Sequence, residues 1–244
     1  MLQPNLLMNG IYREITAEFA KNGDKKRAIS SKKYHKYKIH NLGVGAPIKH
    51  RIFKKFKIEI KNLNCQEALI LARKLYTTKI EEFALAGSYI LQIKSGCLGI
   101  KQLPYLDKSL DYLTSWSTID SFCIDVLQPI LLKHPKETIN LLKRWNKSEN
   151  MWKRRASVVA FVRKIGESGK FTDMVLKLCD NLIDDKEDLV RKGVGWALKD
   201  NMRGSKKKVF AYVKNLREKK ISSTIILYAI RDLKDIEKKE ILYT

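Results

Sequence analysis

The residues best suited to chemistry lie in mid-chain, in Thr114–Asp125, TSWSTIDSFCID. Trp116 and Asp120 are four apart, so on a helix they share a face with Cβ atoms about 5–6 Å from each other. An indole face beside a carboxylate suits a developing positive charge, which both the ring quadrupole and the anion attract. The plainer reading is a core tryptophan and a solvated aspartate. The neighbouring motifs decide between them.

A second group lies in an internal echo. Asn150–Ala160, NMWKRRASVVA, aligns with Asp188–Ala197, DLVRKGVGWA, at an offset of 37 residues. Arg154 falls on Arg191, Arg155 on Lys192, Ala156 on Gly193, Val159 on Trp196 and Ala160 on Ala197. Basic pairs followed by small and apolar residues, opening the second helix of an antiparallel pair, are typical of HEAT-like repeats, whose period is about 40. Stacked pairs form a solenoid whose second helices line a concave face.

The elements that must position these residues read as helices throughout. Ile11, Ile15 and Phe19 recur at four-residue steps. Lys21–Lys38 carries seven lysines and one arginine and reads as a solvated face or a phosphate-binding stretch. NLGVGAP at Asn41–Pro47 is a turn, with Pro47 opening a helix that sends Ile52, Phe53, Phe56 and Ile60 inward and Lys49, Arg51, Lys54, Lys55 and Lys57 outward. Cys65–Tyr76 and Ile80–Ile93 follow as helices, and Leu103–Pro104 interrupts the pattern. The helix of Trp116 and Asp120 is predicted to run to about Lys133, and His134–Pro135 begins the next. No linker rich in Pro, Gly or Ser divides the chain. The expectation is one all-α domain over residues 1–244, a HEAT-like solenoid of about six antiparallel helix pairs with a basic concave face.

Composition restricts the partner. There are 49 Lys+Arg against 26 Asp+Glu, a formal charge of +23. Such an excess spread along the whole chain points to a polyanion, nucleic acid before an anionic membrane. No run approaches the ~20 apolar residues of a membrane span, and the N-terminus lacks a signal-peptide layout, so an intracellular, cytoplasmic protein is expected. Cys65, Cys97, Cys123 and Cys179 form no CxxC and read as buried thiols, without a disulfide framework. His35, His40, His50 and His134 have no ligand spacing. Neither a metal nor a cofactor is indicated.

In order along the chain, LGVGAPIKHR, SW-x-x-x-D at Ser115–Asp120, LLKHP, W-x-x-R at Trp152–Arg155 and V-G-W-x-L at Val194–Leu198 resemble the AlkD-type DNA alkylation repair glycosylases, built from HEAT-like repeats. The resemblance runs from about residue 9 to about residue 236. It implies a monofunctional glycosylase, a monomer on duplex DNA, that releases cationic N3- and N7-alkylpurines. It implies Asp120 as the catalytic carboxylate, with Trp116 and Trp196 flanking the deoxyribose. Arg155 would grip phosphate, and Arg154, Lys192, Lys199 and Arg51 would add DNA contacts. The chain departs from the pattern at Ser115, where relatives often carry an aromatic, and at Lys199, which replaces a common arginine.

The implied chemistry is consistent with these residue types. An alkylpurine that is already cationic leaves without a general acid, so one carboxylate that stabilises an oxocarbenium-like sugar and orients water suffices. Two rivals remain open: a HEAT-like protein that binds nucleic-acid structure without cutting, and a scaffold for another protein. Release of free base separates the first from a glycosylase, and weak DNA binding would mark the second.

Overall fold

A computed structural model describes residues 6–35 and 39–243. Helices account for nearly all regular structure among the described residues, and β pairing is limited to an isolated bridge between His40 and Ile80. The chain divides into two compact units, residues 1–135 and 136–244.

The first unit contains α1 (Leu6–Lys21), α2 (Lys25–His35), α3 (Ala46–Lys55), α4 (Lys57–Asn62) and α5 (Cys65–Tyr76). It continues through α6 (Glu81–Ile93), α7 (Leu103–Leu110), α8 (Trp116–Ser121) and α9 (Gln128–Lys133). Its core gathers Ile11, Ile15 and Phe19 of α1 with Ile52, Phe56 and Ile60, and Leu71 and Leu75 of α5 join them. Phe53 lies at the edge and stacks on Tyr89, with ring centroids 4.7 Å apart. The helix expected from Ile48 is broken at Phe56, whose φ of −90° and ψ of 4° turn the chain between α3 and α4. The Asn41–Pro47 turn is fixed from within the core. Buried Glu82 accepts the Leu42 and Val44 N–H groups at 2.9 and 3.0 Å, and Gly43 takes φ +76°. A side chain at Gly43 would meet the Asp24 carbonyl at 2.2 Å, so only glycine fits.

Two sequence expectations need correction here. Cys65 and Cys97 form a disulfide, with Cα atoms 5.6 Å apart, and Cys65 is exposed; Cys123 and Cys179 are the buried thiols. The predicted helix from Trp116 to Lys133 is not uniform either: Phe122–Leu127 is a π-helical turn between α8 and α9. Pro129 accounts for it. The ring cannot donate to the carbonyl four residues back and would clash with it, so the preceding turn widens.

The second unit contains α10 (Pro135–Asn146), which opens on the boundary, then α11 (Met151–Val159), α12 (Lys164–Glu167) and α13 (Thr172–Asp180). It ends with α14 (Asp188–Gly204), α15 (Lys206–Glu218), α16 (Ser223–Ala229) and α17 (Asp235–Leu242). The helices α11, α14 and α16 pack side by side as one row, and α13 packs on α15 in another. Hydrogen bonds tie equivalent points of successive repeats: Asn181 to Asn146 at 2.7 Å, Arg163 N–H to Asp200 at 2.6 Å and Thr224 to Asp188 at 3.4 Å. Their partners lie 35, 37 and 36 residues apart, which matches the 37-residue echo. Buried Asn146 also donates to Ser157 at 2.9 Å and to the Leu178 carbonyl at 3.1 Å, so the polar centre of this stack is satisfied rather than left as a cost.

Candidate active site

Ser115 starts the site. Its extended backbone (φ −136°, ψ 152°) leads into α8, and its Oγ accepts the Thr118 N–H at 3.3 Å, which caps the helix. Thr118 Oγ1 donates back to the Ser115 carbonyl at 2.9 Å. The departure from the aromatic of the family pattern thus supplies an N-cap, an interaction worth about 1 kcal/mol. Trp116 is then the first helical residue and Asp120 lies one turn on, as their spacing requires. Ser117, between them, donates to Glu81 Oε1 at the start of α6, fixing this turn against the neighbouring helix.

The two side chains differ in exposure. Trp116 is partly exposed, whereas Asp120 is buried, with 7% of its surface accessible. The solvated-aspartate reading therefore fails. The other carboxylates of the region are placed differently. Asp125 is held by Ser121 at 2.8 Å and by Gln92 at 2.9 Å, and Asp111 is exposed at the end of α7. Asp120 alone of these three is both buried and one turn from a partly exposed tryptophan. The π turn that follows it is a distortion found often at functional sites.

The second unit carries Trp196, partly exposed, midway along α14. The two glycines before it do not leave a gap for its ring. Arg155 lies across Gly193, where an added Cβ would meet Arg155 Cγ at 3.3 Å. Tyr228 of α16 closes on Gly195, where a Cβ would meet Tyr228 Cβ at 2.4 Å. Those glycines serve close helix approach, so filling that space does not account for Trp196. Trp152 is partly exposed on α11, its N–H accepted by Asn150 at 2.9 Å.

The cations assigned to DNA from sequence fall into two classes. Arg154 grips Asp185 with two bonds, 2.6 and 3.2 Å, and donates to the Ser148 and Glu149 carbonyls at 2.9 Å each. Its Asp185 hydrogen bond, outweighing burial, raises its pKa. Lys199 sits 3.1 Å from Asp200 and 3.2 Å from Asp232, which Arg203 also engages. Burial pushes the Asp232 carboxyl up, but hydrogen bonds from Lys199 and Arg203 outweigh it, and the net shift is downward. These two cations hold the repeats together. Arg155 is buried, 5% exposed, and donates to the Leu189 carbonyl at the start of α14. Lys192 is half-exposed and paired with Asp188 at 2.7 Å, and Arg51 is exposed with a long 3.3 Å bond to Asn22. Sequence reasoning missed the partners Glu81, Asp185 and Asp232. The signal was present, because Ser117–Glu81 and Arg154–Asp185 are separated by 36 and 31 residues, close to the repeat period.

Among the described residues no group of three His, Cys, Asp or Glu could hold a metal ion, and no helix is long and apolar enough to cross a membrane.

No curated protein matches the chain. Solved structures do. A predicted DNA alkylation repair enzyme from Enterococcus faecalis superposes with a TM-score of 0.76 at 15% identity, over 88% of this chain and 98% of that one. The Pseudomonas fluorescens alkylpurine DNA glycosylase AlkC, bound to DNA containing an abasic site analog, gives 0.55 at 18% identity, over 93% of this chain and 62% of the other. The smu.31 protein of Streptococcus mutans UA159 gives 0.56 at 16% identity, over 77% and 98%. At these identities the likeness establishes the all-α fold. The sequence model of the DNA alkylation repair enzyme family matches residues 15–233, nearly the whole chain, and the protein belongs to that family.

Proposed function

We propose that the protein is a monofunctional DNA glycosylase that hydrolyses the N-glycosidic bond of N3- and N7-alkylated purines in duplex DNA. The observation that carries this reading is Asp120: a buried carboxylate one helical turn from a partly exposed tryptophan, on a capped and braced helix start, in a chain of this family. The likeness of fold to an alkylpurine DNA glycosylase bound to DNA containing an abasic site analog supports this reading at the level of fold.

A base alkylated at N3 or N7 is already cationic and needs no proton to leave. The demand falls on the sugar, which acquires positive charge as the bond lengthens. Asp120 stabilises that charge and accepts a hydrogen bond from the attacking water, and its burial strengthens both effects. Trp116 and Trp196 offer indole faces to the deoxyribose, contacts worth about 2 kcal/mol where water is excluded. Because these interactions grow with the charge, they favour the transition state over the bound substrate. Arg51 and Lys192 contact phosphates from the surface. Arg155 is buried, so a phosphate contact there requires a strand that approaches the junction of α11 and α14 closely. Arg154 and Lys199, with side chains 13% and 17% exposed, are left out of the DNA-binding set because their carboxylate pairs are largely out of water, whereas the Lys192–Asp188 pair is open to solvent. The protein acts as a monomer, inside the cell with the chromosomal DNA.

Incubation with duplex DNA methylated at N7 of guanine, followed by chromatography of the soluble fraction, tests the proposal. Free methylated base and abasic DNA are expected. Tight DNA binding with no base released would favour the non-catalytic reading instead.

A further inference from the structure

The helices α10 and α13, which carry none of the candidate site residues, flank an open pocket of about 450 Å³. Lys143, Arg144 and Lys147 line it from the end of α10, and Lys177 from α13, while Met174 and Leu178 supply apolar surface. Its volume is in the range of small-ligand sites. What distinguishes it is four uncompensated cations around one recess, whereas other cations of this unit are paired with carboxylates, among them Arg154 with Asp185, Lys192 with Asp188 and Lys206 with Glu237. None of the four pocket cations forms an ion pair among the described residues, and the nearby acids are engaged elsewhere. Asp173 pairs with Lys208 at 2.6 Å, and Asp180 accepts the Tyr212 hydroxyl at 2.7 Å. Cations are favoured where helices end, which suits Lys143 and Arg144 in the last turn of α10. That preference does not call for four charges around an apolar recess.

We propose that this pocket binds a nucleoside phosphate, with the phosphate among the four cations and the base against Met174 and Leu178. Arginine and lysine together match a phosphate group, the first through paired donors and the second as a point charge. The ligand is either a free nucleotide or one nucleotide of a DNA strand held outside the candidate active site.

The test is calorimetric titration of the full chain with adenosine 5′-monophosphate and with adenosine. The monophosphate should bind saturably, and adenosine at least about tenfold more weakly, since it lacks the charged group. Lys147→Glu with Lys177→Glu should weaken monophosphate binding by about tenfold or more, and the glutamine pair by a smaller factor. Lys25→Glu with Lys26→Glu, the same charge change on exposed α2, should leave it within about threefold. Base release from methylated DNA, measured on the same variants with protein in saturating excess, should stay at the parent rate in the pocket variants, so failure of this site and failure of the glycosylase reading, on which the proposal does not depend, are told apart. Competition by an unmodified single-stranded oligonucleotide would identify a DNA strand as the source, and its absence a free nucleotide; both support the site. No saturable monophosphate binding, or an equal loss in the α2 control, would overturn it.

Discussion

Replacing Arg154 by alanine separates a residue that holds the repeats together from one that holds DNA. The arginine side chain is 13% exposed and that of Asp185 5%, so the pair is largely out of water. Removing one partner of a buried pair costs about 3–5 kcal/mol, mainly because the remaining charge is stranded. Asp185 keeps the Glu187 N–H at 2.9 Å, which places the loss at the lower end. The freed Ser148 and Glu149 carbonyls lie near the surface and can turn to water. A loss of about 3 kcal/mol corresponds to a fall in melting temperature of roughly 6–12 °C for a chain of this size. Thermal unfolding followed by circular dichroism reads it directly. Asp185→Ala added to Arg154→Ala should cost little more, because the two act as one unit. DNA affinity, measured by anisotropy well below the melting point, should change by less than about twofold, as for a residue without a phosphate contact. A melting temperature within about 1 °C of the parent, as for a simple surface change, together with weakened DNA binding would refute the reasoning and return Arg154 to the DNA interface.

Gly195→Ala should destabilise by about 1–3 kcal/mol because its Cβ would meet Tyr228 Cβ at 2.4 Å, whereas Gly10→Ala, with nothing within 4 Å, should be neutral or stabilising in a denaturant titration. The hydrogen bond from Lys192, against a smaller upward push from burial, holds the Asp188 carboxyl below its usual range. Its folded pKa is thus below the unfolded one, so its stabilisation is complete above about pH 4 and is lost as pH falls through the folded value. Lys192→Met should accordingly lower the melting temperature near neutral pH, by a margin that shrinks as pH falls below about 4. DNA binding should weaken steeply with salt, with a log–log slope near −0.9 per phosphate neutralised, and Arg155→Ala should reduce that slope by about one if it reaches phosphate.

Much of the fold was legible in the sequence because helical periodicity and a repeat are local signals. Ile11, Ile15 and Phe19 are buried as their four-residue steps required, and the 37-residue echo is the pairing of α11 with α14. Gly43 takes the left-handed conformation expected of the Asn41–Pro47 turn. The turn that presents Trp116 and Asp120 was legible for the same reason. What escaped the sequence depends on contacts across repeats. Cys65 and Cys97 are 32 residues apart, close to one repeat, yet nothing local to either shows that they meet. The resemblance favoured Arg155 over Arg154 for phosphate, but only the placement of Asp185 and of the Leu189 carbonyl assigns each its own partner. The π turn was readable in principle, from a proline inside an otherwise continuous helix. The basic run had two readings. Lys21 closes α1, Lys25–His35 form α2 with Lys25, Lys26, Arg27, Lys32 and Lys33 exposed, and Lys36, Tyr37 and Lys38 lie outside the described residues.

The most direct test of the account is the single-turnover rate of N7-methylguanine release by Asp120→Asn, with protein in excess over methylated DNA. The asparagine keeps the size of the side chain and its place in the buried turn but removes the charge proposed to face the sugar cation. The account predicts a rate lower by about 100-fold or more, the scale of losing one preorganised electrostatic contact, with affinity for undamaged DNA unchanged or slightly higher. Release at the parent rate would contradict it, and the catalytic carboxylate would then have to be sought at Asp111 or Asp125.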